Sequence, residues 1–86
     1  MDPVTHLWLG RLRAAGAPTP EERLELLELP AEQRRSTLTA RVHARAVAVL
    51  RELGVPEAEL TALAALPPER FRHAARELVH TQLAPR

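Results

Sequence analysis

Four blocks of this sequence place a proline one or two residues before a glutamate, and each block precedes a stretch rich in leucine and alanine. The blocks are Pro20-Glu21-Glu22, Pro30-Ala31-Glu32, Pro56-Glu57 and Pro67-Pro68-Glu69. Proline suits the first turn of a helix, because its φ angle is already helical and no N–H donor is needed there. Glutamate in the same turn faces the positive end of the helix dipole. The four blocks therefore predict four helix starts.

A fifth helix precedes these blocks, with Asp2 as a candidate N-cap and Gly16 as the stop. Helix 2 opens with a capping box, in which the Thr19 hydroxyl and the Glu22 carboxylate satisfy unpaired N–H groups. The predicted ranges are about Pro3 to Ala15, Pro20 to Leu29, Pro30 to Leu53, Pro56 to Leu66 and Pro68 to Leu83. The sequence thus predicts an all-α fold, a compact bundle of about five short helices with a long central helix 3, in one domain spanning residues 1–86.

Apolar residues at helical spacing predict the buried face of each helix. In helices 1 and 2 these residues are Val4, Leu7, Trp8, Leu12 and Ala15, then Leu24 and Leu27. In helix 3 they are Leu38, Val42, Ala46, Val49 and Leu53. In helices 4 and 5 they are Leu60, Leu63 and Ala64, then Phe71, Ala74, Ala75, Leu78 and Gln82. Helix 3 is also apolar on a second side, which suggests packing on two faces or self-association.

Composition excludes several classes of protein. The chain has no cysteine, so disulfides and thiolate metal sites are excluded. All twelve basic residues are arginine, and lysine, asparagine, isoleucine and tyrosine are absent. The absent types have AT-rich codons, so we interpret the bias as that of a very GC-rich, bacterial genome rather than as selection for phosphate binding. With a net charge of +1, no long apolar run and no basic N-terminal segment, we expect a cytoplasmic protein that does not bind membranes.

Charge is segregated between helices 2 and 3. Residues 20–33 carry five glutamates and one arginine, whereas residues 34–51 carry five arginines and no acid. The simplest interpretation is that helix 2 lies along the arginine side of helix 3. The alternative is that one of these charged segments binds a partner.

Little in the sequence indicates catalysis, so we expect no enzyme, no cofactor and no small-molecule substrate. Ser36 and His43 share a helix face, but seven residues separate them by about 10 Å along the axis, too far for a nucleophile and its base. No glycine-rich phosphate loop occurs. His73, Glu77 and His80 have the spacing of metal ligands, but they lie opposite the apolar face of helix 5. We therefore expect no metal site there.

The favoured hypothesis is a non-catalytic interaction protein that binds a protein partner or forms a homodimer through the second apolar side of helix 3. Small side chains there permit close helix approach, and arginines flank them. The candidate interaction residues are Ala40, Arg41, Ala44, Arg45, Val47, Ala48 and Arg51. The competing expectation is that helices 1 and 5 cover this side within the monomer.

The alternative hypothesis is a helix-turn-helix DNA-binding protein that uses helices 4 and 5. The recognition helix would present basic side chains to phosphates and guanine edges. These candidates are Arg70, Arg72, His73, Arg76 and His80. Three features rank this hypothesis second: Ala65 replaces the usual turn glycine, prolines 67 and 68 occupy base-reading positions, and Glu69 and Glu77 place negative charge toward DNA.

Overall fold

The computed structural model describes residues 2–85, which form five α-helices and no β-strand. The helices are α1 (Pro3–Ala15), α2 (Pro20–Leu27), α3 (Ala31–Leu53), α4 (Glu57–Ala64) and α5 (Pro68–Leu83). The predicted all-α bundle with a long third helix is confirmed. Every helix begins within one residue of its predicted start, while α2 and α4 end two residues earlier than predicted.

Side-chain capping fixes the starts of α1 and α2, whereas α3, α4 and α5 each begin directly after a proline. The Asp2 carboxylate accepts hydrogen bonds from the Thr5 backbone N–H and from the Thr5 hydroxyl, both at 2.8 Å. The Thr19 hydroxyl accepts from the Glu22 N–H at 3.1 Å, as the capping box requires. The Glu22 carboxylate does not complete that box, because it binds arginines of α3 instead. The prediction for the capping box was thus half right.

The long helix α3 contacts each of the other four helices, whereas α2 contacts α3 alone among the described helices. α1 runs antiparallel to α3: its end meets Arg45 and its middle pairs with Glu52. α5 runs parallel to α3, since Phe71 stacks on His43 and Gln82 donates to the Gly54 carbonyl. The short α4 packs on both α3 and α5 and reverses the chain between them.

One apolar core joins α3, α4 and α5. Its buried members are Ala46, Leu50, Val55, Leu60, Leu63, Phe71, Ala75 and Val79. Trp8, Leu9 and Leu12 of α1 pack against it and are themselves half-buried. Helix α1 thus covers this core, and no residue of α2 is among the buried members of the core.

Several predicted inward faces were wrong. Leu24 and Leu27 of α2 are 66% and 60% exposed, and the buried α2 leucine is Leu26. In α1, Val4 and Leu7 are exposed, and Thr5 is buried, because Asp2 satisfies its hydroxyl.

The predicted buried faces of α3, α4 and α5 also differ from the structure. The fully buried Leu50 and Val79 were not predicted, and Ala64 is exposed. On α3 the predicted stripe is buried only at Ala46, and its other members are half-buried. The physical reason is that Leu50 belongs to the core that α3 shares with α4 and α5, against which residues of α1 also pack. The most buried residues of α3 are therefore Leu50 and Ala46, and not the whole predicted row of apolar residues.

Candidate functional site

An uncovered row of small side chains runs along α3. Ala40, Ala44 and Ala48, which we call the α3 alanine face, are all exposed. Four-residue steps turn a helix by about 40°, so the three methyl groups follow one another along the surface. Val47 was predicted to belong to the same side, but it is half-buried and packs against the core. Helices α1 and α5 leave these three alanines exposed, although Pro68 at the start of α5 lines one groove together with Ala40.

The arginines predicted to flank this face bind other helices of the same chain. Arg45 Nη1 donates to Glu22 Oε2 at 2.7 Å, and its Nε donates to the Ala15 carbonyl at 3.0 Å. Arg41 Nη1 lies 3.1 Å from Glu25 Oε2 and 3.5 Å from Glu22 Oε2. These contacts confirm the simpler interpretation of the segregated charge, in which α2 lies along the arginine side of α3.

The contact with Glu22 is the most buried charged contact at this junction. Glu22 is 9% exposed, and hydrogen bonding to Arg45 lowers the pKa of its carboxyl below the ordinary value of 4.5. The same contact raises the pKa of Arg45. Both groups are therefore held in their charged forms, and Arg45 is committed to the fold rather than to a partner.

Arg51, the third flanking arginine, holds α4. Its Nε and Nη2 atoms donate to the two carboxylate oxygens of Glu57 at 2.6 and 3.2 Å. This contact lowers the pKa of Glu57. Both side chains are more than half exposed, so water screens the attraction. The alanine face is thus bordered by arginines that fix α2 and α4, and its own surface is apolar.

A cleft of about 440 Å³ opens between α1, α3 and α5. Its apolar lining comes from Leu9, Leu12, Val42, Ala46, Phe71 and Ala75. Its basic lining consists of Arg13, Arg72 and Arg76, and we call the whole feature the arginine cleft. None of these three arginines forms a salt bridge with any of residues 2–85. Sequence reasoning missed the cleft, because three separate helices build it.

The basic residues proposed for DNA recognition on α5 are all exposed, but they point in different directions. At about 100° per residue, Arg72 and Arg76 lie 40° apart on the side of the arginine cleft. Arg70 lies about 160° from Arg72, on the opposite side of α5. His73 and His80 lie between them, facing away from Phe71. The structure therefore brings together two of the five predicted DNA-binding residues, with Arg13 added from α1.

The remaining polar candidates have ordinary surroundings. The Ser36 hydroxyl donates to the Gln33 carbonyl at 3.1 Å, and the His43 ring stacks on Phe71 with ring centroids 3.7 Å apart. His73, Glu77 and His80 are exposed. No group of three or more histidine, aspartate or glutamate side chains within residues 2–85 is placed to hold a metal ion.

The sequence matches no known protein family, and no curated protein or solved structure is significantly similar to it. Within residues 2–85, every helix is too short or too polar to cross a membrane.

Proposed function

We propose that this protein is a non-catalytic interaction protein, which binds a protein partner or a second copy of itself through the α3 alanine face. The observation that supports this proposal most strongly is the exposure of Ala40, Ala44 and Ala48 on the central helix of the bundle. Because the distance between packed helices depends on the side chains at the contact, an alanine row admits a partner helix closely. Burial of its methyl groups and of the adjoining backbone would stabilise the complex.

The contacts around the face favour an apolar partner surface over an acidic one. Arg41 and Arg45 hold α2, and Arg51 holds α4, so these guanidinium groups already have carboxylate partners. A partner that needed them would have to displace Glu22, Glu25 or Glu57. We therefore assign the interaction to the alanines and give the arginines a structural role. The proposal includes no catalytic step and places the protein in the cytoplasm.

Binding of DNA by α5 is the second candidate function, supported by the absence of salt bridges at Arg72 and Arg76 within residues 2–85. It ranks second, because Arg70 projects from the opposite side of α5 and Glu77 carries negative charge on the exposed surface. Its test is the affinity for duplex DNA at several salt concentrations, for the wild type and for a variant with both Arg72→Ala and Arg76→Ala. A DNA-binding α5 requires salt-sensitive binding, weakened by these changes and with a shallower salt slope.

Site-specific photo-crosslinking in cells that express the full chain tests the interaction through α3. A photoreactive amino acid replaces Ala44 in one variant and Ala62, an exposed alanine on α4, in the matched control. We expect a discrete crosslinked product from position 44 and none from position 62, and mass spectrometry then shows whether the second component is this chain or another protein. Equal crosslinking from both positions, or none from position 44, would contradict the proposal.

A further inference from the structure

The arginine cleft combines an apolar interior with cationic groups that form no salt bridge within the described residues. Its interior includes Leu12, Val42 and Phe71, and Arg13, Arg72 and Arg76 contribute its charge. The lining contains no acidic residue, and no carboxylate of residues 2–85 forms a salt bridge with these arginines, so the lining of the cleft is positively charged. Its complement is a surface with protruding apolar side chains and adjacent carboxylates.

The outer face of α2 has this chemistry. Leu24 and Leu27 project away from α3 and are 66% and 60% exposed. On a helical projection Glu21 and Glu28 lie about 20° from each other and within about 60° of Leu24. Neither glutamate forms a salt bridge with any of residues 2–85. The short helix therefore carries two exposed leucines, and one of them, Leu24, lies beside two carboxylates that form no salt bridge within residues 2–85.

We propose that the chain forms a homodimer in which the outer face of α2 of each copy docks into the arginine cleft of the other. The leucines enter the apolar interior, and Glu21 and Glu28 approach the three arginines. Leucine burial supplies the apolar contribution to affinity, and the opposite charges fix the orientation of the docked helix. The contact uses none of the α3 alanine face, so it is independent of the function proposed above.

The position of α2 favours a closed, two-fold arrangement. Gly16 and Ala17 line the end of the cleft, and α2 begins three residues later, at Pro20. Three residues of chain span at most about 10 Å, so the cleft and the start of α2 are close neighbours on one side of the molecule. A two-fold axis between them pairs each α2 with the opposite cleft, and this closes the assembly at two copies.

Charge reversal on each side of the contact tests the proposal with the full chain. One variant carries Arg72→Glu and Arg76→Glu, and the other carries Glu21→Arg and Glu28→Arg. We expect light scattering to give twice the 9.6 kDa chain mass for the wild type and the single-chain mass for each variant alone. An equimolar mixture of the two variants should again give twice the chain mass, because every cleft then meets a helix of opposite charge.

Controls separate this contact from other modes of association. Arg70→Glu, on the opposite side of α5, should leave the dimer intact, while Leu24→Ser with Leu27→Ser should abolish it. Circular dichroism of every variant checks that the helices are retained, and recovery of the dimer in the mixture excludes simple misfolding. High salt, about 1 M, where the Debye length is about 3 Å, should weaken the dimer.

Three results would overturn the proposal. The first is a wild-type chain that stays at 9.6 kDa at every concentration tested. The second is a dimer that Ala44→Glu abolishes and the charge reversals do not, since that result assigns the contact to the α3 alanine face. The third is a monomer that binds a mixed-sequence DNA duplex through Arg72 and Arg76, since that assigns the cleft to a nucleic acid.

Discussion

Arg45 of α3 donates a hydrogen bond to Glu22 of α2 over 2.7 Å, and through its Nε atom it also binds the last carbonyl of α1, at Ala15. One guanidinium group thus ties three helices together. The contact matters most for α2, because α2 packs against α3 alone among the described helices and contributes nothing to the main core. Electrostatic and hydrogen-bonding contacts therefore take a larger share in holding α2 than in holding the other helices.

Replacement of Glu22 should test this role. We expect Glu22→Gln to lower the free energy of unfolding, because Arg45 then remains partly buried without a charged partner. Glu25→Gln is the matched control, since Glu25 lies on the same helix and binds Arg41 but is mostly exposed. Urea unfolding near neutral pH should give a clearly larger loss for Glu22→Gln than for Glu25→Gln. Equal losses would show that burial of Glu22 adds nothing to the strength of its contact.

The same carboxylate should make the fold sensitive to acid. The pKa of Glu22 is lowered in the folded chain, so its contribution to stability is present above its ordinary value of 4.5. That contribution is lost as the pH falls through the lowered pKa of the folded state. We expect the wild type to lose stability below pH 4.5 more steeply than Glu22→Gln does. Thermal unfolding over a pH series measures this, and parallel curves for the two proteins would contradict it.

Replacing Gly54 and Gly10 by alanine should change the stability of the fold in opposite directions. Gly54 ends α3 with a φ angle of 101°, and a Cβ there would lie 3.3 Å from the Gln82 side chain. Gly54→Ala should therefore destabilise the chain by more than about 1 kcal/mol. Gly10 lies within α1 with open space around it, so Gly10→Ala should stabilise by about 0.5–1 kcal/mol. Chemical denaturation measures the change in the free energy of unfolding for both variants. A Gly54→Ala variant as stable as the wild type would contradict the left-handed conformation of Gly54 at the end of α3.

Replacing a buried core leucine should lower the stability far more than replacing an exposed leucine of α2. Leu50 is fully buried, so Leu50→Ala should cost about 2–5 kcal/mol. Leu27 is mostly exposed, so Leu27→Ala should change the stability of the monomer by less than about 0.5 kcal/mol. The comparison is made by urea unfolding at protein concentrations low enough to avoid association. A large loss of unfolding free energy for Leu27→Ala would support the prediction from sequence that this leucine faces the bundle.

The helix starts were predictable from sequence, because their signals are local. Asp2 and Thr19 bind backbone groups only three residues away, and α3, α4 and α5 each begin directly after a proline. The pairing of α2 with α3 was also predictable, since segregated charges can satisfy one another only if these helices meet. The inward face of α2 was not. In a helix of eight residues with three leucines, periodicity alone cannot decide between Leu26 and its neighbours. In the structure Leu26 is buried one helical turn after Glu22, which binds Arg45.

The two candidate sites also differ in how far the sequence alone could predict them. The α3 alanine face lies on one continuous helix, so its residues could be named from the sequence, although its exposure depends on where α1 and α5 pack. The arginine cleft joins Arg13 to Arg72 and Arg76 across a long stretch of sequence, so no local pattern indicates it. The sequence shows the charge of Arg72 and Arg76 but indicates a different site for them, because the cleft exists only once three helices have packed.

The accessibility of position 44 tests the central claim most directly. The chain has no cysteine, so Ala44→Cys and its control Ala62→Cys each introduce a single thiol. In the dilute purified protein we expect a maleimide to label both thiols at similar rates, because both positions are exposed. Inside intact cells we expect position 44 to be protected and position 62 to remain reactive. Equal labelling of the two positions in cells would contradict the proposal that the α3 alanine face binds a partner.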